Sequence, residues 1–175
     1  IIKVNETFIS KKIGDLKRFD IFDFYSESVE RMQRMFRFKP QLAVCDMHPD
    51  YLSTNFAQEL NIPLVQVQHH HAHIASCMAE HKLDEKVIGI SFDGTGYGTD
   101  GQIWGGEFFI CDLNDFERIS HFEYIPQPGG DIVTKQPWRM ALSYLMYYFE
   151  SDITHKYEHI FKEVSTHDFE LVKTM

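Results

Sequence analysis

The sequence predicts an α/β protein of more than one compact unit. Short apolar segments alternate with stretches of helical periodicity over roughly the first 85 residues, and the spacing then changes to that of hairpins. The hydrophobic fraction of 43% and the charged fraction of 25% are those of ordinary globular proteins, which excludes disordered and fibrous classes. The chain is therefore interpreted as the end of one lobe followed by the beginning of a second.

The individual elements follow in chain order. Residues 1–9 predict a strand pair that turns at Asn5-Glu6. Helices are predicted at 20–36, 51–60, 69–81 and 136–149, with a helical tail from residue 152, and strands at 42–45, 64–67, 87–92, 105–111 and 118–124. The wholly apolar segment 42–45 is expected to be a strand buried on both faces, and the segment 87–92 is expected to be another buried strand.

Charge and cysteine content limit the classes of binding partner and the cellular compartments that are expected for this protein. A net charge of −9 argues against a nucleic-acid surface. The sequence has no apolar run of membrane-spanning length and no basic-then-apolar leader, so a membrane location and secretion are not expected. Three widely spaced cysteines fit neither a disulfide framework nor a Cys-x-x-Cys zinc site. A cytoplasmic protein is expected.

The strongest local signal for chemistry is a run of histidines at the junction of strand 64–67 and helix 69–81. His69 and His73 are four residues apart, so both imidazoles project from one face of a helix. That spacing suits two ligands of one metal ion, although a polar helix start without a metal also fits it. His70 and His71 face elsewhere and are expected to support the ligands or to face solvent.

Asp93 is the best candidate for a third ligand because it directly follows the strand 87–92. Open α/β sheets gather ligands at the carboxyl ends of their strands. Two imidazoles and one carboxylate suit zinc or ferrous iron in a catalytic site with an open position.

The segment 93–101 contains four glycines in nine residues. Such a loop allows positive φ and close approach of a ligand, and its amides can bind a phosphate. Gly94, Thr95, Gly96 and Gly98 are the candidate nucleotide contacts. A tight hairpin explains the same glycines, so the residues alone leave both interpretations open.

Weaker candidates surround these motifs. Asp46, His48 and Asp50 follow the strand 42–45 and are candidates for the same cleft, although Asp50 also suits a helix cap. Arg139 near the start of a helix is electrostatically unfavourable, which indicates an anionic partner.

Taken together, these motifs resemble the C-terminal region of the carbamoyltransferase HypF family. The resemblance runs in order from about Phe8 to Tyr148. It is carried by Ile13-Gly14-Asp15-Leu16, by the segments 46–54, 68–73 and 92–101, by Trp104-Gly105-Gly106-Glu107, and by the segments 128–131 and 137–141.

The resemblance implies an actin-like and sugar-kinase-like fold, of the RNase H-like ASKHA type, with two related lobes. Residues 1–85 would form most of the first lobe, and residues 86–175 the truncated beginning of the second. The resemblance also assigns metal ligands to His69, His73 and Asp93, which would act in catalysis as well. A further aspartate ligand lies later in the family sequences, so residues 1–175 alone are expected to be inactive.

The chemistry that the resemblance implies is transfer of a carbamoyl group from carbamoyl-adenylate to the C-terminal cysteine thiol of HypE. The adenylate would come from carbamoyl phosphate and ATP in another domain of the same full-length chain. The product thiocarboxamide becomes the cyanide ligand of nickel–iron hydrogenase. The alternatives are a non-catalytic docking module for HypE, an O-carbamoyltransferase, or a tRNA threonylcarbamoyl transferase.

Overall fold

The computed structural model describes residues 1–3, 6–149 and 157–175, and its helices and strands alternate as the sequence predicts. The strands are β1 (Ile2–Lys3), β2 (Glu6–Thr7), β3 (Ala43–Asp46), β4 (Leu64–Val67), β5 (Val87–Tyr97), β6 (Ile103–Cys111) and β7 (Phe116–His121). The helices are α1 (Phe19–Met35), α2 (Leu52–Glu59), α3 (His69–His81), α4 (Trp138–Phe149) and α5 (Thr166–Lys173), with 3-10 turns at Gly130–Thr134 and Glu158–Phe161. Asn5, in the predicted first turn, and the start of the predicted tail helix lie outside the described residues.

Residues 1–121 and 122–175 form two separate compact units. The predicted division into lobes at residue 85 stays a prediction. Among the described residues, no helix combines the length and the hydrophobicity needed to cross a membrane.

The first unit contains a parallel strand pair and an antiparallel sheet. Strand β3 pairs in parallel with β4, so that Asp46 lies opposite Val67. Strands β5, β6 and β7 form an antiparallel sheet in that order. Helix α1 packs on α2 through aromatic contacts, with the Tyr25 and Phe56 ring centroids 5.1 Å apart.

Helix α3 covers one face of the antiparallel sheet and forms the core of the first unit with it. The core residues are Ile74, Met78, Trp104, Phe109 and Cys111. Gly89 makes this packing possible, because a Cβ there would lie 2.4 Å from Cδ1 of Ile74. The helix therefore approaches β5 closely, and its first turn is held near the end of that strand.

The prediction that the apolar strands are buried was wrong. Val44 on β3 is 59% exposed, and on β5 Ile88 is 73% and Phe92 65% exposed. The buried residues of β5 alternate with exposed ones, because α3 covers one face of the sheet and the side chains on the other face are exposed among the described residues. An apolar run is equally compatible with one covered face and two, so periodicity alone did not separate these cases.

The second unit is built around helices α4 and α5. Leu142, Phe161 and Val172 are buried together, and half-buried apolar residues of both helices pack around them. Arg139, on the first turn of α4, is 7% exposed and donates a hydrogen bond from Nε to Oε1 of Gln136 at 2.6 Å. The predicted anionic partner of Arg139 stays a prediction.

Candidate metal centre

The histidine pair reaches its position because α3 begins directly after β4. Gln68 is the N-cap residue, and its side-chain Oε1 accepts a hydrogen bond from the His71 amide at 2.9 Å. Its Nε2 donates to the backbone oxygen of Tyr97 at 3.2 Å. Gln68 is only 3% exposed, so this one side chain caps the helix and fastens it to the end of β5.

The ring of His69 lies between two carboxylates. Nδ1 is 2.6 Å from Oδ2 of Asp46, and Nε2 is 2.8 Å from Oδ2 of Asp93. Asp46 ends β3, whereas Asp93 lies on β5. Three elements that are distant in sequence therefore meet at one imidazole.

His73 completes a compact group of three possible metal ligands. Its Nε2 lies 3.2 Å from Nε2 of His69 and 3.5 Å from Oδ2 of Asp93. One ligand atom from each of His69, His73 and Asp93 falls within 4.8 Å of the other two. The structure thus brings together the three residues that the sequence singled out as ligands.

The donor set and the spacing both fit a divalent metal ion. Two atoms that each lie about 2.1 Å from a tetrahedral zinc ion are roughly 3.4 Å apart. The observed separations of 2.8, 3.2 and 3.5 Å lie around that value. The shortest is a direct hydrogen bond, so only a small displacement separates this arrangement from a coordinating one.

Electrostatics at the cluster favour the charged forms of His69 and Asp93. Burial by itself lowers the pKa of His69, but hydrogen bonds and charges from Asp46 and Asp93 outweigh it and raise the pKa above its usual value. For Asp93, burial raises the pKa, and the Gly94 amide and the His69 imidazole together lower it below its usual value. Both directions favour a charge-assisted contact between the His69 ring and its carboxylate neighbours.

His70 and His71 are both buried, which excludes the solvent-facing alternative for them. His71 is 8% exposed, and its Nε2 lies 2.8 Å from the backbone oxygen of Asp112. His70 is fully buried with Nδ1 3.3 Å from Nε2 of Gln68, and burial lowers its pKa below the usual value. Its Nε2 has no hydrogen-bond partner among the described residues. Both rings serve as packing supports beneath the helix start.

The glycine-rich segment differs from the predicted loop. Strand β5 continues through it to Tyr97, with a register irregularity against β6 between Phe92 and Gly96. Within residues 93–101 only Gly101 has a positive φ, of 77°. The backbone of residues 93–101 is therefore that of a hairpin, and Asp93 lies at the register irregularity of β5.

Several glycines of this segment are required by close packing. A Cβ on Gly96 would lie 2.4 Å from Cε1 of His70, and one on Gly98 would lie 2.2 Å from the Trp104 indole nitrogen. The amide of Gly94 donates to Oδ1 of Asp93 at 2.7 Å, and that of Gly98 donates to the backbone oxygen of Gln102 at 2.9 Å. These two amides are thus engaged internally. Nucleotide contact at Gly94, Thr95, Gly96 and Gly98 stays a prediction.

The segment after β3 contributes one residue whose role the sequence did not specify. Asp46 was one of three cleft candidates, and its position at the end of a strand was the signal that marked it. His48 instead stacks on Tyr51, with ring centroids 4.1 Å apart and planes 2° from parallel. Asp50 does not cap α2, because Tyr51 is the N-cap residue and makes no side-chain capping bond.

Two family models match the chain. One, described as the HypF Kae1-like domain, matches residues 1–80. The other, described as the second subdomain of the carbamoyltransferase Kae1-like domain, matches residues 89–175.

Curated relatives are similar over most of the chain. It is 45% identical over 145 residues to carbamoyltransferase HypF2 of Cupriavidus necator, which covers 81% of the chain and 18% of that protein. It is 39% identical over 155 residues to carbamoyltransferase HypF of Synechocystis sp., covering 88% of the chain and 20% of that protein. The chain thus spans about a fifth of the length of these relatives.

Solved structures carry the same fold. A crystal structure of full-length HypF in the phosphate- and nucleotide-bound form aligns with a TM-score of 0.81 at 47% identity, over 94% of this chain and 21% of that one. A crystal structure of HypF from T. kodakarensis aligns with a TM-score of 0.70 at 42% identity, over 78% of this chain and 19% of that one.

Proposed function

Because this chain belongs to the carbamoyltransferase HypF family and matches its C-terminal region, we propose that it carries the metal-binding part of a carbamoyl-transfer site. The observation that carries the proposal is the cluster of His69, His73 and Asp93, whose ligand atoms lie within 4.8 Å of one another. The proposed reaction moves a carbamoyl group from carbamoyl-adenylate to the C-terminal cysteine thiol of HypE, for synthesis of the cyanide ligand of nickel–iron hydrogenase.

In the proposed transfer, the thiolate sulfur of HypE attacks the carbonyl carbon of carbamoyl-adenylate. A carbon–sulfur bond forms, the bond between that carbon and the phosphate oxygen breaks, and AMP leaves with the bonding electron pair. The attacking sulfur comes from the partner, so this chain needs no nucleophile of its own. Its three cysteines are free, and none belongs to the cluster.

The chain's own residues would bind and orient a divalent ion, zinc or iron. When bound, that ion would supply Lewis acidity to the carbamoyl and phosphate oxygens. His69 and His73 would offer Nε2, and Asp93 would offer a carboxylate oxygen held in place by the Gly94 amide. Ion binding through Nε2 of His69 requires that atom to be unprotonated, whereas Nδ1 can keep a proton toward Asp46.

Around this centre, Gly94, Thr95, Gly96 and Gly98 are proposed to lie beside the adenylate. Carbamoyl-adenylate would be delivered from carbamoyl phosphate and ATP by the adenylate-forming domain of the full-length protein. We further propose an ASKHA architecture for the complete transferase domain and a cytoplasmic location. The acidic charge balance supports a protein partner over a nucleic acid.

The test uses the full-length protein with His73→Ala and, as a matched control, His81→Ala. His81 is exposed in the last turn of the same helix and takes no part in the cluster. Metal content and carbamoylation of the HypE thiol are measured together. We expect His73→Ala to lose bound metal and transfer and His81→Ala to keep both. Unaltered metal content and transfer in His73→Ala would refute the proposal, and retained HypE binding without transfer in the wild type would favour a docking module.

A further inference from the structure

We propose that Asp46 is the positioning residue of the metal site, and that it fixes the tautomer and orientation of the His69 ring. This inference rests on the proposed metal-binding function of His69, His73 and Asp93. It concerns a residue on the opposite side of the His69 ring from the other two ligands.

The contact between Asp46 and His69 determines which ring nitrogen is free to bind metal. Oδ2 of Asp46 lies 2.6 Å from Nδ1 of His69, which keeps a proton on Nδ1 as the donor. A neutral imidazole carries only one proton, so Nε2 then presents a lone pair. Nε2 is the atom that lies 2.8 Å from Asp93 and 3.2 Å from His73. The Asp46 contact thus selects the tautomer that the metal site requires.

Asp46 is itself held firmly enough to orient a neighbour. Its Oδ1 accepts a hydrogen bond from the His48 amide at 2.8 Å. Its backbone oxygen accepts from the hydroxyl of Thr54 at 3.2 Å, and Thr54 is completely buried. The next amide, that of Met47, donates to the backbone oxygen of Val67 at 3.2 Å. The carboxylate therefore has little freedom to turn away from the ring.

Strand register explains why the pair meets at all. Asp46 and Val67 are opposite each other at the carboxyl ends of the parallel strands β3 and β4. His69 follows Val67 by two residues, across the Gln68 cap. A carboxylate at the end of one strand therefore faces the first helical residue after the next strand. The side chains are 17% and 24% exposed, so water competes only weakly for this bond.

A positioning role and a ligand role for Asp46 make different predictions. The compact group of possible ligand atoms comprises His69, His73 and Asp93 and leaves Asp46 out. Carboxylates that hold the far nitrogen of a ligating histidine typically contribute about 10–100-fold to metal affinity without entering the coordination sphere. Loss of Asp46 should therefore weaken metal binding and leave the ligand set unchanged.

The test compares Asp46→Asn and Asp46→Ala with Asp50→Asn in the full-length protein. Asparagine keeps a hydrogen-bond acceptor and removes the charge, whereas alanine removes both. Asp50 lies four residues further along the same segment, is exposed, and forms no part of the cluster. Zinc affinity is measured by competition with a chromophoric chelator, and ligand number is measured from the visible absorption of the cobalt(II)-loaded proteins.

We expect Asp46→Asn to bind zinc roughly 10–100-fold more weakly than the wild type. Asp46→Ala should be weaker still, and Asp50→Asn unchanged. At saturating cobalt, Asp46→Asn should keep the wild-type absorption spectrum, whereas His73→Ala should not. If Asp46→Asn keeps the wild-type zinc affinity, or if its cobalt spectrum changes as that of His73→Ala does, the inference about Asp46 is overturned and the proposed metal site is not. A wild-type protein that binds neither ion would overturn the proposed metal site as well.

Discussion

Replacement of Gly96 by alanine tests how closely β5 and the histidine helix fit together. A Cβ at this position would lie 2.4 Å from Cε1 and 2.8 Å from Nδ1 of His70, and 3.2 Å from Cβ of His69. The shortest of these distances is about 1 Å less than an ordinary van der Waals contact. His70 is fully buried, so its ring has no open space into which it can move.

The expected cost follows from this overlap. Forcing one extra methyl group into a packed core typically costs about 1–3 kcal/mol, because side chains must leave their preferred rotamers. Gly94→Ala is the matched control, since a Cβ there meets no heavy atom within 4 Å and its φ is not left-handed. The control is expected to be neutral, or stabilising by up to about 1 kcal/mol through reduced entropy of the unfolded chain.

The assay is urea unfolding followed by tryptophan fluorescence. The sequence has two tryptophans, Trp104 in the first unit and Trp138 in the second. A Trp138→Phe background leaves Trp104, which is 2% exposed in the core below α3, as the reporter of the first unit. The Gly96→Ala midpoint is expected to fall well below that of Gly94→Ala. Equal midpoints would refute the claim that the helix and strand are in tight contact.

Three further expectations follow from the same unit. Removing metal from the full-length protein with a chelator should lower its thermal midpoint, since an ion present at 100 times its Kd stabilises by about 2.7 kcal/mol. If the metal-replete protein keeps the same thermal midpoint after chelation, this expectation is contradicted. In the metal-free chain, His69 has a raised pKa in the folded state, so its stabilising contribution is full below the unfolded-state pKa of about 6.5 and is lost as pH rises through the folded-state pKa. Asp93 has a lowered pKa in the folded state, so its stabilising contribution is lost as pH falls through the folded-state pKa. The difference in urea midpoint between wild type and Asp93→Asn should therefore be largest at pH values between the folded-state pKa of Asp93 and that of His69. A difference that does not change with pH would exclude the ion pair as its source. Glu107→Gln should destabilise by on the order of 2–3 kcal/mol, because Glu107 is 1% exposed and accepts a hydrogen bond from the Arg118 guanidinium at 2.6 Å. Glu27→Gln, at an exposed ion pair, should change stability by less than about 1 kcal/mol, and an equal loss in both would show that burial is not the cause.

Motif spacing allowed the grouping of His69, His73 and Asp93 to be predicted from the sequence, whereas metal binding by them stays a prediction. His69 and His73 are separated by one helical turn, and helix α3 spans the predicted residues 69–81. Asp93 was selected by the rule that side chains gather at the ends of strands, but β5 continues past it to Tyr97. The structure nevertheless places Oδ2 of Asp93 2.8 Å from Nε2 of His69. Local periodicity was therefore sufficient for the histidine pair, whereas the irregularity in β5 at which Asp93 lies was not predicted.

Other features depend on contacts between segments that are distant in sequence. The role of Asp46 comes from the register between β3 and β4, which no single segment encodes. The glycines at 96 and 98 were interpreted as loop residues, yet their lack of a side chain accommodates His70 and Trp104. Glycine content predicts that something must come close to the backbone. It does not reveal whether that neighbour is a ligand or the protein itself.

The uncovered face of the antiparallel sheet has a consequence for handling residues 1–175 as a separate polypeptide. Ile88, Ile90 and Phe92 are each more than half exposed, and Phe108 lies beside Phe92 with ring centroids 5.9 Å apart. An exposed apolar surface of this kind lowers colloidal stability and favours precipitation as the protein concentration rises. A net charge of −9 opposes association between molecules but does not remove the exposed apolar surface. Purification at low concentration, with a mild detergent as additive, follows directly from that surface.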